Sequence, residues 1–188
     1  FTARPHQSYA SKMIANAEAK GARGFLLADD VGVGKTISAW GGVQRIAKRR
    51  KVRNVLIVCP LSVVPRWRRT IIDLGVGDMR VCVINYDRLK NLLSVPETAK
   101  KAKRQRTKNK RITAQGESLV DWDVIIFDES HKCKNPSQRT KAAARIAGYH
   151  VPKSDSPPFV IWMSATAGQN PVELSYLAPL LAQLTRSR

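Results

Sequence analysis

Cysteine is scarce. Cys59, Cys82 and Cys133 are the only three in 188 residues, and no two form a C-x-x-C pair. An odd count without that spacing excludes a disulfide scaffold and a four-ligand zinc module, and it points to a reducing compartment, cytoplasmic or nuclear. Long apolar runs are missing too. None approaches the roughly 18 residues that a membrane-spanning helix needs, and the N-terminus does not read as a signal peptide, so neither membrane nor secretion is expected. The chain opens on Phe1 rather than Met, as a segment of a longer protein would. Acidic residues are few: 14 Asp+Glu stand against 33 Lys+Arg, a formal charge of +19. Such an excess implies a polyanionic partner, and nucleic acid comes ahead of a lipid surface because no amphipathic lipid-binding stretch is present.

What the chain does have is a rhythm. Short apolar runs recur at Phe25–Leu27, Val55–Val58, Val81–Ile84, Val124–Phe127 and Phe159–Met163. They are continuous rather than alternating, as in strands buried on both faces of a parallel sheet. Helical spacing fills the intervals. Ile37, Trp40, Val43 and Ala47 share one face, as do Val64, Trp67, Ile71 and Leu74, and also Leu174, Leu177, Leu181 and Leu184. Asn135-Pro136 and Asn170-Pro171 read as helix starts, the second with Glu173 in capping-box position. The expected fold is therefore α/β, one domain with a mostly parallel sheet flanked by helices on both faces. Eight of the twelve residues from Lys100 to Arg111 are basic, which predicts a mobile insertion at about 96–118.

Two motifs carry chemistry. Directly after the first apolar run stand Asp29, Asp30, Val31, Gly32, Val33, Gly34, Lys35 and Thr36, and an amphipathic helix follows. Glycines let backbone N–H groups close around phosphate oxygens, and the helix start adds its positive end. Lys35 can reach β- and γ-phosphates, and the Thr36 hydroxyl can hold Mg²⁺. The usual pattern opens with Gly where Asp29 stands, and a glycine-rich turn beside a solvated lysine is the plain alternative. The second motif ends the Val124–Phe127 run in Asp128 and Glu129. Carboxylates at a strand's C-terminal edge lie where ligands gather in such sheets. Asp128 suits a Mg²⁺ shell, and Glu129 suits orienting or deprotonating a water.

With both motifs present, the chain resembles the first RecA-like lobe of superfamily-two helicases, specifically the Swi/Snf-type DNA translocases. Those proteins carry D-E-x-G-x-G-K-T, matched by Asp29–Thr36, and D-E-x-H, matched by Asp128–His131. Ala3–Gln7 resembles the family's R-P-Y-Q element, which implies that Arg4 and Gln7 meet adenine. Cys59–Trp67 resembles a segment that touches the DNA backbone, which implies that role for Ser62, with Arg66 beside it. Asn85-Tyr86-Asp87 resembles a further element on the nucleic-acid path, and His131–Ser137 an H-x-x-K-N segment. Ser164-Ala165-Thr166 with Gln169-Asn170-Pro171 resembles the element coupling hydrolysis to strand movement, with His131 linking it to the ATP site. Ala165, Ala167 and Gly168 depart from the family there, and Asp30 replaces a Glu.

The resemblance implies a P-loop NTPase fold, ATP and Mg²⁺ as cofactors, and catalytic roles for Lys35, Asp128 and Glu129. It implies duplex DNA as partner, held by backbone contacts without sequence readout. It also implies a second RecA-like lobe, which does not occur before Arg188 and whose absence would leave hydrolysis weak. The basic segment, including Lys100, Lys101, Lys103, Arg104 and Arg106, would bind by counterion release. The cluster Arg45, Lys48, Arg49, Arg50, Lys51 and Arg53 reads first as solvated charge at a helix C-terminus. Trp67 reads as core, and Ser62 as a helix cap as well as a phosphate contact. Two rival readings remain: a basic nucleic-acid-binding module with a vestigial nucleotide site, and a small-molecule phosphotransferase.

Overall fold

Strand residues in the computed structural model sort into two sets by parity. Val55, Ile57, Cys59, Val124, Ile126, Phe159, Ile161 and Met163 pack on one side of the sheet. Leu56, Val58, Ile125, Phe127, Val160 and Trp162 pack on the other. Period-2 alternation of side chains, with both sides apolar, produces a sheet covered twice. The structure describes residues 3–30, 32–93, 118–135, 137–148, 157–166, 173–177 and 180.

In chain order the regular elements are α1 (Pro5–Ala19), β1 (Gly24–Leu27), α2 (Lys35–Ala47), β2 (Asn54–Cys59) and α3 (Val64–Leu74). They continue with β3 (Arg80–Asn85), β4 (Val124–Asp128), α4 (Gln138–Ile146) and β5 (Phe159–Met163). The strands pair in the order β1-β5-β4-β2-β3. Every pairing is parallel, so all five C-terminal ends lie along one edge. Each expected apolar run is a strand. The helices α1, α2 and α3 cover the first face, with Trp40, Val43, Trp67 and Ile71 buried against it. The second face is covered by the 3-10 turn Tyr86–Leu92, by α4, and by a 3-10 turn at Glu173–Leu177.

Close packing of α1 on α2 depends on glycine: a Cβ on Gly42 would collide with the side chain of Ile14. The end of α3 is fastened to α2, because Trp40 Nε1 donates to Gly75 O at 3.1 Å and Gln44 Nε2 to Leu74 O at 2.7 Å. These side chains satisfy carbonyls that a helix end leaves open.

Several expectations need correction. The helix after Asn135 starts later, capped by Ser137, whose Oγ accepts from Thr140 N at 3.2 Å; Asn135 instead gives its carbonyl to Thr140 Oγ1 at 2.6 Å. Ser62 does not cap α3: it lies exposed in the 3-10 turn Leu61–Val63, and Val63 occupies the cap position. The basic cluster is more than solvated charge. Arg49 and Arg50 both pair with Glu18 on α1, at 2.9 and 2.5 Å, and Arg50 lies 3.7 Å from Asp123. Residues 173–177 form a 3-10 turn, and the rest of the helix expected through Leu184 falls almost wholly outside the described residues. So do residues 96–117 of the basic segment. The residues that flank it are described: Leu93 and Ser118 form an antiparallel bridge.

Candidate active site

The candidate residues converge on the C-terminal edge of the sheet. After β1 the chain turns through Gly32 (φ 86°) and Gly34 (φ 87°), both left-handed, and enters α2. Gly34 is favoured by its φ, which disfavours a side chain, and a Cβ there would also displace the Gln7 amide from Val33. The Lys35 ammonium donates to the carbonyls of Asp29 and Asp30 at 2.7 and 2.8 Å. Helix α1 braces this loop from outside. His6 Nε2 sits 3.0 Å from Val33 O, and Gln7 Nε2 donates to the same oxygen at 3.2 Å. Gln7 Oε1 also accepts from the backbone N–H of Arg4 at 3.0 Å. Thr36 is buried in the first turn of α2, while Asp29 and Asp30 are exposed. Val31 lies outside the described residues.

The acid side is built from the core. Parity puts the Asp128 side chain on the same face as Val124 and Ile126, where Trp67 of α3 is fully buried. Trp67 Nε1 donates to Asp128 Oδ2 at 2.7 Å. Burial raises the proton affinity of Asp128 above the usual carboxylate range; the Trp67 bond and the Lys35 charge oppose that shift, while the Glu129 charge adds to it. Strands β1 and β4 both pair in parallel with β5, so Lys35 on the loop after β1 and the Asp128–Glu129 pair at the end of β4 stand on one edge of the sheet.

Glu129 has φ 53° and ψ 52°, the only positive-φ non-glycine among the described residues. Left-handed backbone at a side-chain-bearing residue is costly and marks a position the surroundings dictate. It sends the chain into the 3-10 turn Ser130–Cys133 and aligns Glu129 with His131, whose Nδ1 lies 3.2 Å from Glu129 Oε2 and 3.1 Å from Ser164 Oγ. Ser164 Oγ accepts from Thr166 N at 3.1 Å. A continuous polar chain therefore runs from the β4 edge to the β5 edge. The turn at Glu173–Leu177 reaches the residues beside it, with Tyr176 OH 3.2 Å from Ser130 Oγ and Glu173 3.5 Å from Lys134.

A family profile described as SNF2-related domain matches residues 6–150. The chain belongs to the SNF2-related domain family. A protein of Acanthamoeba polyphaga mimivirus named as an ATP-dependent RNA helicase, L364, is 32% identical over 123 residues, covering 60% of this chain and 22% of its own length. The bovine DNA excision repair protein ERCC-6-like is 28% identical over 143 residues, 66% of this chain and 11% of that one. Among solved structures, the Sulfolobus solfataricus SWI2/SNF2 ATPase core in complex with dsDNA superposes with a TM-score of 0.64 at 20% identity, over 97% of this chain and 35% of that one. The fold is the RecA-like parallel sheet of that core. The chain spans about a fifth and a tenth of the two relatives' lengths.

Within this SNF2-related domain the residues expected on the nucleic-acid path divide. Ser62 and Arg66 are exposed at the start of α3. Asn85 ends β3 with its Oδ1 enclosed and without a partner among the described residues. Tyr86 is a correction: it is 4% exposed and stacks near Phe127, and its hydroxyl donates to Asp128 O at 2.7 Å. A buried ring committed to the main chain of β4 does not face a nucleic acid. Lys100, Lys101, Lys103, Arg104 and Arg106 lie outside the described residues. Missed from the sequence were the Trp67 bond to Asp128 and the loop brace from His6. Trp67 lies 61 residues from its partner, with no local signal for the pairing.

Proposed function

We propose that this SNF2-related domain is the ATP-binding N-terminal motor lobe of a DNA-dependent ATPase, a helicase or duplex translocase, which hydrolyses ATP fully only beside a second RecA-like lobe. The observation that carries this reading is that the phosphate loop after β1 and the acids ending β4 lie on the same C-terminal edge of the parallel sheet, with Glu129 joined to Ser164 through His131.

The residues fit a magnesium–nucleotide group. Two left-handed glycines open a backbone turn onto a helix start, where N–H groups and the helix dipole favour phosphate. Lys35 supplies the neutralising charge. Thr36 and Asp128 would hold Mg²⁺, which when bound polarises the phosphate oxygens and offsets charge developing on them. Glu129 orients the attacking water and takes its proton. His131 holds the Glu129 carboxylate and reports its state to Ser164 and Thr166. Gln7, fixed against Val33, and Arg4 beside it would meet adenine, as the family resemblance implies. The nucleic acid runs past Ser62, Arg66 and the Asn85 end of β3, with the basic segment at 96–118 adding charge. The charge of +19 and the duplex bound to the similar Sulfolobus core support DNA. Unpaired thiols at Cys59, Cys82 and Cys133 support an intracellular, reducing setting.

Phosphate release tests the reading. The chain alone should hydrolyse ATP very slowly, since sites lacking their arginine fingers run roughly 10³- to 10⁵-fold slower. Mixing in a second lobe and duplex DNA should raise the rate by orders of magnitude. No rise on mixing, together with no effect of ATP·Mg²⁺ on thermal melting, would favour the basic binding module instead.

A further inference from the structure

We infer that Trp67 is a positioning residue through which a duplex seated on α3 adjusts the metal-holding carboxylate of Asp128. This rests on the nucleotide-site reading above and deepens it.

Asp128 is held from both sides of the sheet by different elements. On the second face, Tyr86 OH grips its main-chain carbonyl at 2.7 Å, and Tyr86 is itself fixed by stacking near Phe127 and by the Arg139 guanidinium 5.8 Å above its ring. That grip fixes the backbone. On the first face the carboxylate receives one hydrogen bond from another side chain among the described residues, Trp67 Nε1 to Oδ2, and the main chain of Glu129 supports it as well. The Trp67 bond occupies Oδ2 and, together with the Glu129 main chain, sets how the carboxylate plane is turned. Trp67 is fully buried and Asp128 nearly so, at 6% exposure. No solvent competes for the bond, and losing it would leave a buried donor and a buried charge both underpaired.

Helix α3 is mounted as a lever. Its C-terminal end is tied to α2 through Trp40 and Gln44, and α2 begins at Lys35 and Thr36. Among the described residues its N-terminal end has no such hydrogen-bonded tie: Val63 gives no side-chain cap, Leu61 is 70% exposed, and Val63 and Val64 rest only partly buried against the core. The face opposite Trp67 carries exposed Arg66 and Arg69, with exposed Ser62 just upstream. A polyanion drawn to that end tilts the helix about its fastened end and shifts the indole, roughly 10 Å along the axis from Leu74. The Asp128 carboxylate follows its only side-chain donor among the described residues.

Trp67→Phe removes the donor and keeps ring bulk and burial. The direct assay is Mn²⁺ binding by electron paramagnetic resonance, on the chain saturated with ADP, with and without a short duplex of mixed sequence. In wild type, added duplex should change the apparent Mn²⁺ affinity. In Trp67→Phe, Mn²⁺ affinity should fall about tenfold, the order of one hydrogen bond to a charged group. The duplex effect should disappear, and metal-free ADP affinity should stay within about twofold. Equal Mn²⁺ binding and an equal duplex response in the variant overturn this inference alone. Wild-type chain that binds no ADP·Mn²⁺ overturns it together with the reading it rests on. Should the variant not fold, wild type answers through the Trp67 indole ¹H–¹⁵N cross-peak, assigned by its contacts to Ile71. A shift on adding duplex alone supports the lever, and a stationary peak at saturating duplex overturns it.

Discussion

The two halves of the site are held in opposite ways. The phosphate-loop half is exposed at Asp29 and Asp30, and Lys35 is held by carbonyls of its own loop. Among the described residues, side chains of α1 support it at Val33 O, from His6 and Gln7. The acid half is held by side chains from distant elements meeting in the core: Trp67 to Asp128 across 61 residues, Tyr86 to Asp128 across 42, His131 to Ser164 across 33. A loop made of backbone donors can reshape around a ligand at little energetic cost. A carboxylate pair that must orient a metal and a water is useful only if already fixed. Perturbing the acid half should therefore register in folding stability even without ligand. Perturbing the loop half should register mainly in the response to ligand.

The largest expected effect is on the acid side. Trp67→Ala deletes a fully buried ring and a buried hydrogen bond, and should destabilise the chain by about 3–5 kcal/mol in urea unfolding. A loss below about 1 kcal/mol would mean that the core around Asp128 is loose, and the contrast would fail. The matching test on the loop side is Lys35→Ala. Unliganded stability should stay within about 0.5 kcal/mol of wild type, as for surface changes. The wild type's gain of about 2.7 kcal/mol at a hundredfold excess of ATP·Mg²⁺ over Kd should be lost. Thermal melting with and without nucleotide reads both quantities.

Gln7→Ala probes the boundary between the halves. Gln7 is 4% exposed, and its amide serves Val33 O and the Arg4 N–H at once. Truncation leaves the Arg4 N–H without this partner and Val33 O with His6 alone, for a cost of about 1–2 kcal/mol. It should also weaken nucleotide binding, measured by titration calorimetry. Stability lost with affinity unchanged would make Gln7 a helix-capping residue and nothing more.

Much of this was readable before any coordinates. Parallel strands buried on both faces appear as continuous apolar runs, so all five were visible as such. The glycine turn and the acid pair stand at strand ends, so their meeting follows from the parallel order. What could not be read is pairing at a distance. Asp128 is in phase with Val124 and Ile126, so its face was inferable, but nothing local says that α3 covers that face or that Trp67 turns its N–H inward. Tyr86 follows a strand next to a motif with a nucleic-acid role elsewhere, and only packing shows its ring turned to Phe127. Glu18 and Asp123, few acids among many cations, found Arg49 and Arg50 through the α1–α2 contact and the start of β4.

The smallest expected effect has the opposite sign. Burial, the dominant influence on Asp128, lifts its folded pKa above the unfolded value of about 3.9. A carboxyl with a raised folded pKa binds its proton more tightly in the folded chain. Its favourable contribution is complete below the unfolded value and is lost as pH rises through the folded value. At neutral pH the ionised group is therefore a liability that the Trp67 bond and the Lys35 charge only partly offset. Asp128→Asn keeps an oxygen to accept from Trp67 and removes the charge. The variant should be more stable than wild type at pH 7, and the gap in urea midpoints should close as pH falls toward 4. A variant less stable at pH 7, with the deficit shrinking in acid, would mean that Trp67 and Lys35 together outweigh burial. The acid half would then owe its rigidity to its charge, and the contrast between a core-built and a loop-built half would have to be redrawn as one continuous electrostatic network.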